Sequence, residues 1–262
     1  MEHWPIAERY FRPPGLSGGS GSLWKGHEIV DLGTLEGGSA SVGIYVNDLQ
    51  QVVGISDNRV SDPFSLFGVG VQMRTFLWER GALRDIGTLG GPDALPGPGC
   101  NNQLKGYIVG QSYTDFTPND STGIPTLRPF LWQHGRMIDL GSLGGTIGSA
   151  RCANNRGEII GTSTLAGDLK THAFFWRNGV MKDLGTLGGD NSEAIWMNDS
   201  GEIAGSADFP GVNLHDAVRW KNGKILDLGT VAGDPCSRGR VPLIAQIFYT
   251  HLSGRKAAPC WT

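Results

Sequence analysis

The feature that most constrains the fold is a phrase that recurs five times along the 262-residue chain. Each copy resembles Asp-Leu-Gly-Thr-Leu, and a tryptophan stands seven residues before it. The aspartates that begin the copies are Asp31, Asp85, Asp139, Asp183 and Asp227, and the tryptophans are Trp24, Trp78, Trp132, Trp176 and Trp220. Successive copies lie 54, 54, 44 and 44 residues apart. This period indicates a repeat fold in which each unit is one supersecondary structure.

A second phrase follows four of the five copies and completes a four-stranded unit. It contains an Asn-x-x-Gly turn in residues 154–161 and 198–205, and residues 47–54 and 100–110 occupy the same place in the first two units. A serine follows each of these segments: Ser56, Ser112, Ser163 and Ser206. Within 172–206, the pattern predicts strands at 172–176, 180–184, 193–197 and 202–206.

The turns between these strands predict how the strands pair. Trp-x-x-Gly and Asn-x-x-Gly both suit a type I turn that ends in a left-handed glycine with a bulge. Such a turn places Trp176 opposite Val180 and puts Phe175 on the same face as Met181 and Asp183. The first strand is then apolar on both faces, so it must be covered on both sides. Four-stranded antiparallel units of 44–54 residues predict an all-β, β-propeller-like fold, with a β-solenoid as the alternative.

The repeat also divides the chain. Residues 1–22 are an irregular segment, the units are 23–73, 74–127, 128–171, 172–214 and a partial 215–234, and 235–262 is a diverged or truncated basic tail. Five Trp hairpins and four Asn hairpins give 18 strands, and two more from the tail, best at 241–249, would complete five blades. We expect an incomplete ring whose open edge lets terminal blades self-associate. The ten extra residues in each longer spacing fall at 57–73 and 113–127, in loops suited to binding.

Composition narrows the class of protein. The 41 glycines are explained by repeated turns, and a net charge of −3 argues against a nucleic-acid partner. The chain contains no run of about 18 consecutive apolar residues, so no membrane-spanning helix is predicted. Residues 1–15 show no secretory signal. The four cysteines are too few for a disulfide scaffold, so Cys100 and Cys152 are interpreted as small buried side chains, while Cys236 and Cys260 could pair in an oxidising compartment.

The candidate site residues are mostly repeat positions. The five aspartates are interpreted as acceptors for backbone N–H groups, and the five tryptophans as packing between blades or as platforms for sugar rings or a partner protein. The predicted partners of the tryptophans across the hairpin are Glu28, Ala82, Arg136, Val180 and Lys224. The possible ligand contacts are His172, His215, Arg74 and Arg128.

Other chemistry is weaker in the sequence. Residues 190–193 and 198–202 are rich in oxygen ligands but do not match the EF-hand pattern, so calcium is a minor alternative to turn formation, and no other cofactor or metal is expected. The serines lack the G-x-S-x-G pattern of a nucleophile, and no catalytic residue is assigned.

The amino-acid sequence of the repeat resembles that of a known family. Residues 130–145 (FLWQHGRMIDLGSLGG) and 172–207 (HAFFWRNGVMKDLGTLGGDNSEAIWMNDSGEIAGSA) are similar to the bacterial HAF repeat family, named for the triplet seen here as His172-Ala173-Phe174. The resemblance covers roughly residues 23–233. It implies a repeat-built, propeller-like protein, extracellular or associated with the cell surface, without a settled activity.

Three functions therefore stay open. The first is a non-catalytic binding or scaffold protein for a glycan or a protein ligand. The second is a glycan-active hydrolase or lyase on a propeller scaffold. The third is a structural fragment of a longer repeat protein. An enzyme is expected to break the repeat symmetry with an acid or base of its own, and no such break is visible inside the units, which favours the first hypothesis.

Overall fold

The computed structural model describes residues 19–98, 106–211 and 215–229, and these residues form eighteen β-strands, the number predicted from the hairpins. The strands are β1 (Ser22–Lys25), β2 (Glu28–Asp31), β3 (Ser41–Val46), β4 (Val52–Ser61), β5 (Val71–Glu79), β6 (Ala82–Asp85), β7 (Ala94–Pro96), β8 (Ile108–Pro118), β9 (Pro125–Gln133), β10 (Arg136–Asp139), β11 (Gly144–Ala153), β12 (Ile159–Leu165), β13 (Thr171–Arg177), β14 (Val180–Asp183), β15 (Ser192–Met197), β16 (Ile203–Asp208), β17 (His215–Lys221) and β18 (Lys224–Asp227).

The strands pair with their neighbours in the chain. After the hairpin β1–β2 come four antiparallel sheets of four strands, which we call sheet 1 (β3–β6), sheet 2 (β7–β10), sheet 3 (β11–β14) and sheet 4 (β15–β18). One parallel pairing, Ile147 with Leu127, links sheet 3 to sheet 2 and joins their hydrogen bonding. Successive antiparallel sheets are the predicted blade architecture, and a β-solenoid would instead stack its strands in parallel coils.

The sheets are offset by half a unit from the repeated phrases. Strand β12 pairs with β13 across the predicted unit boundary, with Gly161 opposite Phe174. Each sheet therefore combines the Asn hairpin of one unit with the Trp hairpin of the next. The four predicted strands of 172–206 are all present, but two belong to sheet 3 and two to sheet 4. The hairpin β1–β2 has no Asn hairpin beside it among the described residues.

The Trp hairpins close with a tighter turn than predicted. Asn178 (φ 51°) and Gly179 (φ 83°) are both left-handed, which is the two-residue type I′ loop. Trp176 consequently pairs with Met181, and the predicted pairing with Val180 is wrong by one residue. Because side chains alternate along a strand, this shift moves the whole return strand to the opposite face.

The corrected register gives every tryptophan an apolar partner. The residues opposite the five tryptophans, in chain order, are Ile29, Leu83, Met137, Met181 and Ile225. The predicted partners, among them Glu28, Arg136 and Lys224, lie one position away. In sheets 1 to 4 this pairing places a second, partly buried apolar side chain on the tryptophan face of the hairpin, whereas Ile29 of the first hairpin is exposed.

The Asn-x-x-Gly turns form as predicted. Gly157 (φ 74°) is left-handed and donates its N–H to the Asn154 carbonyl at 3.0 Å. The Asn154 side-chain oxygen accepts the backbone N–H groups of Arg156 and Glu158 at 3.0 and 3.1 Å. The asparagine thus replaces backbone partners that the turn would otherwise leave unpaired.

Both faces of the inner sheets are buried, as the apolar strands predict. In the Trp hairpin of sheet 2, Phe130 and Trp132 pack towards sheet 1. Leu131, between them in sequence, packs towards sheet 3 beside Phe174. The same alternation recurs from sheet to sheet, so the core is a series of layers between sheets, each filled from two sides.

One glycine in the second strand of each sheet permits this packing. A Cβ atom on Gly161 would lie 2.0 Å from the Ser149 carbonyl oxygen and 2.9 Å from the Phe174 ring. The carbonyl approaches because β11 contains a bulge between Ala150 and Cys152. Gly54, Gly110 and Gly205 meet the same two neighbours, a carbonyl and an aromatic ring, in the other sheets. These glycines are needed for close approach and not for a turn.

The strands predicted at 241–249, in the C-terminal tail, lie outside the described residues. Within the described part, no helix is long and apolar enough to cross a membrane. Apolar side chains are exposed at both ends of the stack: Trp24 (50%) and Ile29 (65%) on the first hairpin, and Trp196 (56%) and Leu226 (49%) on sheet 4.

Replacing Gly161 with alanine should destabilise the protein by about 1–3 kcal/mol, because the new methyl group must displace backbone and a buried ring. The matched control is Gly19→Ala, since no heavy atom lies within 4 Å of the Cβ position there. Urea unfolding measures both. Equal stability of the two variants would contradict the role given to the strand glycine.

Candidate functional site

A groove of about 380 Å³ lies between sheets 1 and 2. It is found at the end of the sheets where the β3–β4 and β5–β6 turns meet the β9–β10 turn. Aromatic and polar side chains from both sheets line it, including Tyr45, Gln51, Glu79, Arg84, Tyr107 and Trp132. A volume of ~300–1,000 Å³ with a few fixed polar groups is usual for small-ligand sites.

The polar wall of the groove is a chain of hydrogen bonds on sheet 1. Asn47 donates to Gln51 Oε1 at 2.7 Å, and Gln51 donates to Glu79 Oε2 at 2.8 Å. The Arg84 guanidinium lies 3.9 Å from Glu79 Oε1. The Glu79 carboxylate is therefore held in place by its neighbours rather than left to rotate in solvent.

The aromatic wall faces this chain from sheet 2. The Arg84 guanidinium carbon lies 5.5 Å from the centre of the Trp132 ring, a cation–π contact between the two sheets. Tyr45 lines the same groove, and its hydroxyl oxygen is buried and meets no hydrogen-bond partner among the described residues. Burial raises the pKa of Tyr45, so the side chain is a neutral phenol with one unused donor.

The groove is where sheet 1 departs from the repeat. At the positions of Gln51 and Glu79, sheet 3 carries the ion pair Glu158–Arg177 at 3.3 Å. Sheet 4 carries Glu202 and Lys221 there, 2.8 Å apart. Sheet 1 thus has a carboxylate where sheets 3 and 4 have a cation. Sequence reasoning missed this break, although aligning the five Trp hairpins column by column shows Glu79 against Lys25, Gln133, Arg177 and Lys221.

The five repeated aspartates bind backbone. Each accepts, through Oδ1, the N–H of the left-handed glycine two residues later: Gly33 (2.9 Å), Gly87 (2.8 Å), Gly141 (2.8 Å), Gly185 (2.7 Å) and Gly229 (2.7 Å). Within the described ranges, no three of the acidic, histidine or cysteine side chains form a group that could hold a metal ion. The aspartates end the return strands of successive hairpins, and none of them lines the groove.

The tryptophans differ in how much of each ring is covered. Trp78, Trp132 and Trp220 are buried between sheets, with exposed fractions of 8%, 6% and 2%. The Trp220 indole donates to the Leu184 carbonyl of the preceding sheet at 2.9 Å. Trp176 is partly buried against the layer between sheets 2 and 3, and Trp24 is exposed. Of the five, Trp132 is the one that lines the groove.

The four basic candidates all have partners. Arg74 pairs with Asp85 at 3.0 Å and His172 with Asp183 at 2.7 Å, each within its own hairpin. Arg128 donates to the Gly145 carbonyl at 2.9 Å, a contact from sheet 2 to sheet 3. His215 forms an ion pair with Asp208; that hydrogen bond raises the pKa of His215, against the opposing effect of burial. None of the four lines the groove.

The repeated serines also serve the backbone. Ser56, Ser112 and Ser163 are buried and accept the N–H groups of Leu35, Leu89 and Leu143 at 3.1, 2.9 and 3.0 Å. In sheet 4 the equivalent position, two residues after the strand glycine, is Ala207 and not the predicted Ser206. The oxygen-rich segment 198–202 forms an Asn turn, in which Asn198 accepts two backbone N–H groups.

Each insertion is fastened by an aspartate of the next sheet. The loop after β4 is held by Asp93, which accepts the N–H groups of Leu66 and Met73, both at 2.8 Å. The loop after β8 is held by Asp168, which accepts the Ser121 hydroxyl at 2.5 Å and the Thr146 N–H at 2.7 Å. Both loops lie at the end of the sheets opposite the groove.

Asp93 is the most perturbed of these groups. It is fully buried, and burial raises its pKa to about 7, with the nearby charge of Asp62 acting in the same direction. Asp62 is buried as well; its Oδ1 accepts the Phe64 N–H at 2.9 Å, and its Oδ2 meets no donor among the described residues. A proton on Asp93 supplies the donor that this carboxylate pair otherwise lacks.

Comparison with known proteins defines the class. No family model matches the chain, and no curated protein matches it in sequence. TolB from Acinetobacter baumannii is similar in structure, with a TM-score of 0.50 and 15% identity over 83% of this chain and 51% of that protein. The β-propeller domain of the Trilobed protease from Pyrococcus furiosus, which has an open velcro topology, gives 0.50 and 14% over 79% and 58%. The chain spans little more than half the length of these structures. It has a β-propeller-like fold, as the repeat predicts.

Replacing Asp62 with asparagine should flatten the pH dependence of stability. Because the pKa of Asp93 is raised in the folded state, the native protein binds the extra proton, and stability falls as pH rises from about 4 to about 7. The introduced asparagine would keep the Phe64 contact and offer a donor to Asp93, so the variant should gain on the order of 1–3 kcal/mol at pH 8 and little at pH 4.

Thermal unfolding across that pH range measures this difference. The control is Asp139→Asn, at an exposed carboxylate, which should leave the slope unchanged. The same slope in wild type and Asp62→Asn would show that the two buried carboxylates do not interact.

Proposed function

We propose that the protein is a non-catalytic binding protein, built from HAF-type repeats, that holds a glycan or protein ligand outside the cytoplasm. The observation that carries this proposal is the groove between sheets 1 and 2, which joins aromatic surface to a fixed set of donors and acceptors. The repeated positions supply the scaffold, because their aspartates and serines are already bonded to backbone.

The carboxylate content of the groove favours binding over hydrolysis. Glycoside hydrolases typically use two carboxyl groups, about 5–9.5 Å apart, as acid and nucleophile or base. Among the described residues that line the groove, Glu79 is the one carboxylate, and Gln51 and Arg84 engage it. Asp93, the acid whose pKa burial raises to about 7, is sealed beneath a loop at the opposite end.

An extracytoplasmic location is supported by two observations. The repeat phrases resemble a family described as extracellular. Cys152, which is fully buried at the layer between sheets 3 and 4, is part of a disulfide bond. Disulfides persist in oxidising compartments and are rare in the cytosol. Cys152 is buried, as the sequence predicts, and the disulfide is a feature that the sequence analysis did not assign to it.

Self-association remains part of the proposal. The outward faces of the first hairpin and of sheet 4 expose Trp24, Ile29, Trp196 and Leu226. If these faces end the stack, they suit contact with further repeats, either in a longer chain or in a second copy. This is the observation that favours the third hypothesis, a segment of a longer repeat protein.

The proposal predicts binding without turnover. The purified protein, immobilised and screened against arrayed bacterial polysaccharides and envelope proteins, should retain at least one of them saturably. Mass spectrometry should recover the retained molecule chemically unchanged after prolonged incubation. Shortened or unsaturated saccharide products would contradict the proposal and establish the hydrolase or lyase alternative; no retained ligand would leave only the structural hypothesis.

A further inference from the structure

We infer that the groove between sheets 1 and 2 is a binding site for a neutral saccharide of one or two rings. This inference rests on the proposed function and narrows its ligand to one chemical class. It places the ligand at the end of the sheets where the β3–β4, β5–β6 and β9–β10 turns meet, away from the insertion loops and from the repeated aspartates.

The chemistry of the lining matches a sugar more closely than an ion. A pyranose carries hydroxyls that both donate and accept, on the edge of a ring whose faces are apolar. Glu79 and the Gln51 amide offer acceptors and donors beside each other, and their mutual hydrogen bond of 2.8 Å fixes their orientation. Tyr107 and Trp132 provide aromatic surface next to them. Because Arg84 lies near Glu79 and over Trp132, the charges of the groove largely offset one another, which favours an uncharged ligand.

Tyr45 supplies an independent indication of a ligand. Buried polar groups are almost always hydrogen-bonded, because leaving one unpaired costs the free energy of its desolvation. The Tyr45 side chain lines the groove, and its hydroxyl oxygen, buried beneath that surface, has no partner among the described residues. Phenylalanine at position 45 would pack as well without that cost. A hydrogen bond between the hydroxyl and a ligand atom would explain why the residue is a tyrosine.

The interface between sheets 3 and 4 differs from the groove between sheets 1 and 2. There the two Asn turns bind each other directly, with Asn155 donating to both carboxylate oxygens of Asp199 at 2.9 and 2.7 Å. The Glu158–Arg177 pair occupies the positions of Gln51 and Glu79. Sheet 1 has exchanged this ion pair for a neutral amide and a carboxylate, and the groove lies where that exchange occurs.

The experiment uses four neutral disaccharides as probes: maltose, cellobiose, lactose and N,N′-diacetylchitobiose. Each is titrated into the whole 262-residue protein by calorimetry and by tryptophan fluorescence, since Trp132 borders the groove. At least one should bind with 1:1 stoichiometry and a Kd below about 10 mM. If none binds, the inference is overturned; retention of an envelope protein in the array screen would still uphold the proposed function.

Variants then locate the site. Glu79→Ala should weaken binding by about tenfold or more. Tyr45→Phe should also weaken it while raising the melting temperature, a combination that a purely structural tyrosine would not give. The matched control is Lys221→Ala, at the Glu79 position of sheet 4, which should leave the Kd unchanged. Unaltered affinity in both groove variants would place the sugar elsewhere and overturn the inference, and loss of affinity in the control would do the same.

Discussion

The stack of sheets depends on a close approach at the second strand of each sheet. In sheets 1, 3 and 4 a bulge interrupts the first strand, and in all four sheets a carbonyl oxygen of the first strand and an aromatic ring of the third strand approach the same point on the second strand. Only glycine leaves room for both: at Gly205 a Cβ would lie 1.9 Å from the Glu193 carbonyl and 2.9 Å from the Trp220 ring. In sheet 4 valine stands opposite the glycine, and the tryptophan two residues later covers it instead. The constraint is kept although the residue that satisfies it has changed.

The repeated polar residues also serve the fold, and they are therefore not expected to contact a ligand. The aspartate, the serine and the asparagine of each unit are polar, and polar residues at regular intervals invite a catalytic interpretation. Among the described residues, the five aspartates, the serines of sheets 1 to 3 and the asparagines Asn47, Asn154 and Asn198 pair with backbone groups that the hairpin ends would otherwise leave unbonded. Chemistry directed at a ligand is therefore expected where a copy departs from the pattern. Sheet 1 departs from the pattern of sheets 3 and 4 at Gln51 and Glu79, where the groove lies.

The sequence was sufficient to predict the class of fold, the number of strands and the turns built on asparagine. It misplaced the register of the Trp hairpins, because the spacing Trp-x-x-Gly suits both a bulged turn and a type I′ loop. The Asn-Gly pairs at 178–179 and 222–223 are the signal for the type I′ loop, although Arg80 and His134 replace the asparagine in two other copies. It also could not show where one sheet ends and the next begins. The repeated unit begins with a Trp hairpin, whereas each sheet begins with the Asn hairpin of one unit and ends with the Trp hairpin of the next. The groove escaped prediction for a different reason: it depends on two sheets, and its residues are far apart in sequence. Comparing Glu79 with Arg177 in the aligned copies was the one signal available.

The central claim is that the repeat supplies the scaffold and that its departure in sheet 1 supplies the site. The most direct measurement restores the pattern: Gln51→Glu combined with Glu79→Arg installs in sheet 1 the pair found in sheet 3. The account predicts a variant with a melting temperature equal to or above that of wild type and with no measurable saccharide binding by calorimetry. A variant that folds equally well and binds the sugar as tightly as wild type would contradict the account.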